Sequence, residues 1–177
     1  MDDLKLLSSW SLFNKSFKTA KYEIFRLELF PEYRVEFEKK HIAYFKKHGE
    51  HPPFDEQYLG WCRLLEKKKK EGVNHWRIRR ISKPHTLYER YEIAAYKMQA
   101  PYGLKVWAFT RPADFLKIEE LNVVPYAMDY WMFDEKTILL VQYDMLGKYM
   151  RVWQYLGSPK PYIALKNKLK KISKRLV

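Results

Sequence analysis

Cysteine occurs once in the 177 residues, at Cys62, so no disulfide can form within the chain and a cysteine-based zinc site is all but excluded. Beside Trp61 in an expected helix, Cys62 reads as a small buried apolar residue. Glycine is scarce, at six residues, and neither a Walker A loop nor a G-x-G-x-x-G turn is present. H-E-x-x-H and G-x-S-x-G are missing as well, so no cofactor is expected and no metal ligands or catalytic residues are assigned. The longest apolar run, Ile138 to Val141, is far too short to span a membrane. The opening Met-Asp-Asp-Leu-Lys carries acids where a secretory leader carries bases, which predicts a cytoplasmic chain without a transmembrane segment.

Acid is also absent from the last fifth of the chain. Nine basic residues and no Asp or Glu lie between Met145 and Val177, in a protein of net charge +13. An excess this one-sided favours polyanionic partners. Aromatic residues are abundant at 17%, with 14 Tyr, 6 Trp and 10 Phe, enough for a bulky core and some surface rings.

Apolar spacing predicts the elements in order. A helix runs from Leu4 to Phe17, then a strand from Lys21 to Phe30, with Phe25, Leu27 and Leu29 on one face and Ile24, Arg26 and Glu28 on the other. Helices follow at Arg34–His48 and Phe54–Glu71, separated by the loop His48 to Pro53. The second ends in Lys67 to Lys70 and Gly72, which suit the negative end of a helix dipole and a stop. The strand Val73–Ser82 puts Trp76 and Ile78 on one face and Arg77, Arg79 and Ile81 on the other. Pro84 is expected to open a helix to Ala100. A strand at Leu104–Thr110, an irregular segment to Pro125, and strands at Tyr130–Phe133, Thr137–Tyr143 and Lys148–Leu156 precede a final helix from Pro159 or Pro161 to the C-terminus. The pattern is α+β: a largely antiparallel sheet of five to six strands, covered by helices on one face, with a basic C-terminal helix. Residues 1–157 form the α+β domain and 158–177 the appended basic helix.

Three groups of residues could carry function. The last helix aligns Leu165, Leu169, Ile172 and Leu176 in one stripe, surrounded by Lys166, Lys168, Lys170, Lys171, Lys174 and Arg175. Either the stripe docks and the lysines are solvated, or the helix meets phosphates as a nucleic-acid arm; a membrane-surface helix lacks the aromatic residues it would want. Arg77 and Arg79 project from one strand face about 7 Å apart, and their forks suit phosphates, carboxylates or the acids Glu89 and Glu92 on the next helix. Should the strand of Arg26 and Glu28 lie alongside, four charged groups converge, as a structural network or an anion pocket. Tyr88, Glu92 and Tyr96 form a stripe that could stack bases or cover a sheet edge. His48, His51 and the pair His85–Glu89 lack further partners in the sequence. Asp129, Asp134 and Glu135 could hold Mg²⁺, although a hairpin turn uses the same residue types.

Three segments together resemble a known family. They are Phe25-Arg26-Leu27-Glu28 with Pro31-Glu32-Tyr33; Trp76 to Ile81 with Pro84 to Glu92; and Asp129-Tyr130-Trp131-Met132-Phe133-Asp134. In order and spacing, over about Phe25 to Gly147, they are similar to an uncharacterised domain family common in actinomycetes, whose genes often neighbour helix-turn-helix regulators. Tyr88, Arg90 and Glu92 fit that family's Tyr-x-Arg-x-Glu helix. The lysine-rich C-terminus, the short link before Leu104 and the aromatic content depart from its pattern. The resemblance implies a regulatory or mobile-element setting and gathers Arg26, Glu28, Arg77, Arg79, Arg90 and Glu92 on one strand–helix core.

The first expectation is a non-enzymatic protein that binds DNA or RNA through phosphates, using the C-terminal lysines with Arg77 and Arg79. Alternatives are an adaptor that docks a protein partner through Trp107, Trp153 or Tyr155, and a metal-dependent nuclease or hydrolase built on the Arg/Glu cluster. The sequence leaves the oligomeric state open.

Overall fold

The computed structural model describes residues 3–110 and 124–177, and most of the segment expected to be irregular before Pro125 lies outside them. The strands are β1 (Leu4–Leu7), β2 (Glu23–Glu28), β3 (Asn74–Ile81), β4 (Lys105–Thr110), β5 (Asp129–Phe133), β6 (Thr137–Tyr143), β7 (Tyr149–Tyr155) and β8 (Lys174–Arg175). The helices are α1 (Ser11–Thr19), α2 (Lys39–His48), α3 (Glu56–Lys70), α4 (Leu87–Gln99) and α5 (Lys160–Ile172). Among the described residues all eight strands form one sheet, in the order β1-β7-β6-β5-β2-β3-β4-β8. The pairs β2–β3 and β3–β4 are parallel and the rest antiparallel.

Two strands beyond the expected six account for the larger sheet. Leu4–Leu7, expected to begin a helix, pairs with β7 instead, Leu4 opposite Tyr155. Four residues of mixed burial carry no decisive period, and the partner that settles their state lies at the far end of the sequence. The C-terminal helix ends at Ile172, and Lys174 and Arg175 turn back as β8 against Trp107 and Ala108. The helix expected from Pro84 starts at Leu87, where Thr86 and Glu89 form a reciprocal capping box.

The helices also occupy both faces rather than one. Phe25, Leu27, Trp76, Ile78, Tyr130 and Met132 pack under Tyr162, Leu165 and Leu169 of α5. The opposite faces of β2 and β5, with β6, turn Ile24, Trp131, Phe133 and Leu139 toward α1, with Trp61 of α3 alongside. Strand alternation therefore sends Arg26 and Glu28 away from α5, into the side held by the other helices. The three-residue turn between β5 and β6 places Asp134 and Glu135 at φ 50° and 55°, both in the left-handed region. The Asp134 carboxylate accepts from the backbone N–H groups of Lys21, Tyr22 and Glu23, which ties this turn to the start of β2.

Candidate anion-binding cavity

Because β2 and β3 run parallel in register, Arg26 lies beside Arg77 and Glu28 beside Arg79. The convergence foreseen for four charged groups therefore occurs at the centre of the sheet. Glu28 is 2% exposed and holds the cluster together. Its carboxylate meets Arg26 Nε at 3.2 Å, Arg77 Nη1 at 3.2 Å and Arg79 Nη1 at 3.5 Å, and accepts from the Tyr96 hydroxyl at 2.9 Å. Helix α4 lies across these groups. Its Glu92 pairs with Arg79 at 3.2 Å, and Arg79 also donates to the Tyr96 hydroxyl at 3.0 Å. Rings enclose the guanidiniums: Arg26 lies 4.9 Å from the Trp131 centroid, Arg77 5.0 Å from Tyr96 and Arg79 5.3 Å from Tyr33.

The cluster borders an open cavity of about 340 Å³. Arg26, Glu28 and Arg77 line its floor, Glu92, Tyr96 and Gln99 one wall, and Tyr33, Phe37 and Glu38 the segment before α2. Aromatic rings of Phe13, Trp61 and Trp131 complete its lining. Two features mark it as more than a packing fault. Arg77 Nε, although buried, has no hydrogen-bond partner among the described residues, and neither do Nε and Nη2 of Arg79 just behind it. Buried donors of this kind ordinarily find a partner, so the cluster beneath the cavity holds more donors than its carboxylates and hydroxyls take up. Gln99 supplies a further donor. Its amide oxygen accepts from Trp61 Nε1 at 3.2 Å, which leaves the NH₂ as a donor.

Charge in the cavity is uneven. Burial opposes ionisation of Glu28, yet Arg26, Arg77 and Arg79 outweigh it and hold this carboxyl well below its usual range. Glu38 goes the other way: burial first, then Glu92, pushes it up to about 8, against a hydrogen bond from the Tyr88 hydroxyl at 3.0 Å. Asp129, deep beside Tyr33, is pushed up to about 7 by burial despite accepting from the Tyr33 hydroxyl at 2.5 Å and from Leu29 N–H at 2.9 Å. At neutral pH three guanidiniums thus face Glu28 and Glu92 while Glu38 is protonated. The three guanidiniums outnumber the two carboxylates paired with them by one, beside the buried Asp129 and a carboxylic acid at the wall able to give up a proton.

Other predicted residues fall elsewhere. Arg90 is exposed and leaves the cluster. Tyr88, Glu92 and Tyr96 are buried over the sheet rather than displayed for stacking. Arg77 and Arg79 are 6% and 0% exposed, inside the protein rather than on its surface. Lys166 is 2% exposed and bonded to Glu23 and Glu135. Lys170 lies against Trp76 and Trp107, and burial, aided by Arg175, pulls its ammonium down to about 8. Lys168, Lys171, Lys174 and Arg175 remain exposed. Of the interface candidates, Trp107 and Trp153 are half-buried and Tyr155 is buried. Asp129, Asp134 and Glu135 do not converge: they are held by Tyr33, by the start of β2 and by Lys166. No group of three metal-ligating side chains occurs among the described residues, and none of the described helices is long and apolar enough to cross a membrane. His51 is buried, stacked on Tyr91, and Cys62 is buried. Sequence reasoning missed Glu38, Gln99 and Trp61 as cavity residues. The nearest local signal, the acids Glu36 and Glu38 at the head of a helix, reads as dipole compensation.

Comparison with known proteins adds a family and a fold. The family model described as "Domain of unknown function (DUF6879)" matches residues 11–159. No curated protein sequence matches. Among solved structures the chain is similar to the crystal structure of a phospholipase D family member, Nuc from Salmonella typhimurium. The TM-score is 0.53 at 11% identity, over 97% of this chain and 96% of that one, a likeness of fold.

Proposed function

We propose that this chain, which belongs to the DUF6879 family, binds a small organic anion in the cavity over β2 and β3. The observation that carries this reading is that two guanidiniums line the cavity floor where β2 and β3 pair, one of them that of the buried Arg77. Arg26 is the accessible cation beside it. Its side chain is 19% exposed, with Nε engaged by Glu28 and Nη2 near the Tyr143 hydroxyl at 3.4 Å. The remaining edge of that guanidinium is a fork suited to a carboxylate or phosphate oxygen pair. The volume lies within the range of small-molecule sites, and the mixture of rings with a few placed polar groups is their usual lining.

Calorimetric titration with a panel of small carboxylates and phosphates checks this. Saturable binding is expected, weakened at least tenfold by Arg26→Gln, roughly the loss of one charge-assisted hydrogen bond. Arg26 is partly exposed, so this variant should stay folded. Binding that ignores Arg26, or no binding across the panel, would sink the proposal.

A second reading, contact with a nucleic acid, is supported by the exposed basic residues at the C-terminus. Since Tyr162, Leu165 and Leu169 of α5 belong to the core, removing the helix would confuse binding with folding. The test is instead Lys168→Glu, Lys171→Glu and Lys174→Glu together, with duplex binding titrated against salt. If all three contact phosphates, the slope of log affinity against log salt becomes shallower by roughly three. An unchanged slope would mean that these lysines are a solvated face.

A further inference from the structure

We infer that the ligand of this cavity is a single-chain amphipathic carboxylate, its head between Arg26 and Arg77 and its hydrocarbon tail in the groove between α1 and α3. The inference rests on the anion-binding reading above and deepens it.

A second concavity, of about 270 Å³, adjoins the first. Phe13 and Trp61 belong to both linings, so the two concavities meet at these rings. Beyond those rings the groove is bounded by Phe17 and Leu64, with Lys18 and Lys67 among its lining. Leu64 is 48% exposed, and Phe37, at the other cavity, 37%. Large apolar side chains left open at two adjoining concavities are what an apolar chain laid across them would cover. The carboxylate belongs on the sheet, where the guanidiniums are; the hydrocarbon belongs along Phe13, Phe17, Trp61 and Leu64 of α1 and α3, the apolar half of a lining that also includes Asn14, Lys18, Lys67 and Lys68.

The charge of the head follows from the cavity floor. Arg26, Arg77 and Arg79 outnumber by one the carboxylates paired with them, Glu28 and Glu92. A carboxylate carries one negative charge and matches a single open guanidinium edge. A phosphate monoester carries about two at neutral pH and would bring its second charge toward Glu92.

The experiment titrates the full chain with butyrate, hexanoate and octanoate below their aggregation concentrations, with octyl phosphate and a nucleoside monophosphate as the other arms. Affinity should rise with chain length by up to about fourfold per methylene buried. Octanoate should bind more tightly than octyl phosphate and than the nucleotide. Leu64→Ser lies on the exposed groove, away from the sheet. It should weaken octanoate by roughly fivefold or more while leaving butyrate unchanged; Arg26→Gln should weaken both. Equal affinity along the series, indifference of octanoate to Leu64, or tighter binding of octyl phosphate or nucleotide would overturn the inference. Arg26-dependent binding of butyrate would still uphold the anion cavity in each of those cases. Absence of binding in every arm would remove both.

Discussion

Glu28→Gln is expected to melt far below the parent chain, with a loss on the order of 3–5 kcal/mol, the largest of any single substitution considered for this fold. The change keeps the shape of the side chain and removes one charge. That charge is the common partner of three guanidiniums, with Arg26, Arg77 and Arg79 all within 3.5 Å of its oxygens. Without it the cluster sets two buried cations and the partly exposed Arg26 against Glu92, and Arg77 has no other ion-pair partner among the described residues. An uncompensated buried charge costs several kcal/mol, whereas replacing a whole pair by apolar groups costs little. Glu28→Gln combined with Arg77→Met should therefore be more stable than Glu28→Gln alone, a failure of additivity expected of residues in contact.

Urea denaturation of the parent, both single variants and the double variant measures the coupling. Equal or additive losses would mean that Glu28 is not the counter-charge the geometry describes. The ligand offers an independent readout. An added anion should raise the midpoint of Glu28→Gln more than that of the parent, because the emptied position leaves more positive charge for it to neutralise. The acid limb has a definite sign as well. The folded pKa of Glu28 lies below its unfolded value, so its stabilisation is present above about pH 4 and is lost as pH falls through the folded value. The parent should lose stability in acid more steeply than the variant.

The charged centre is legible in the sequence because period-2 alternation sorts a strand's two faces without knowing its neighbours. Ile24, Arg26 and Glu28 fall on one side and Arg77 and Arg79 on the other strand's matching side, and the parallel pairing then supplies the contact. What alternation cannot supply is depth. Arginine and glutamate are normally solvent-facing, so Arg79 at 0% exposure reads as a surface residue until α4 is seen lying over it. The same blindness explains Lys166: helical spacing sets it beside the docked stripe of α5, but its pairing with Glu23 and Glu135 joins residues far apart in sequence. Arg90 shows the opposite error, since a shared motif with Tyr88 and Glu92 does not make a shared helix face. The cavity stays hidden for a related reason. Its walls come from α1, α3, α4 and four strands or their connections, so no window of sequence contains it.

Glu38→Gln should show the reverse pH behaviour from Glu28→Gln, and this reversal separates the two acids of one cavity. Burial and the neighbouring Glu92 hold Glu38 protonated up to about pH 8, whereas in the unfolded chain it ionises near pH 4.3. Between those values the folded protein binds a proton that the unfolded chain has released, so stability falls as pH rises. Below the window both states are protonated, and above about pH 8 both are ionised and the decline stops. Over the window the loss is at most on the order of 5 kcal/mol, since each pH unit crossed costs about 1.4 kcal/mol. Glutamine mimics the protonated acid, and its amide oxygen can still accept from Tyr88. Measured by urea denaturation from pH 5 to pH 9, the variant should gain on the parent as pH rises to about 8 and keep that gain above it. Contributions from His41, His51 and Asp129 cancel in that difference, so parallel curves would show that Glu38 is not the protonated group. Ligand affinity should follow the same charge. Above pH 8 an ionised Glu38 faces the bound anion and weakens its binding in the parent, while Glu38→Gln retains it. A single proton at the cavity wall thus sets both stability and occupancy, and only an acid buried beside the site links the two measurements.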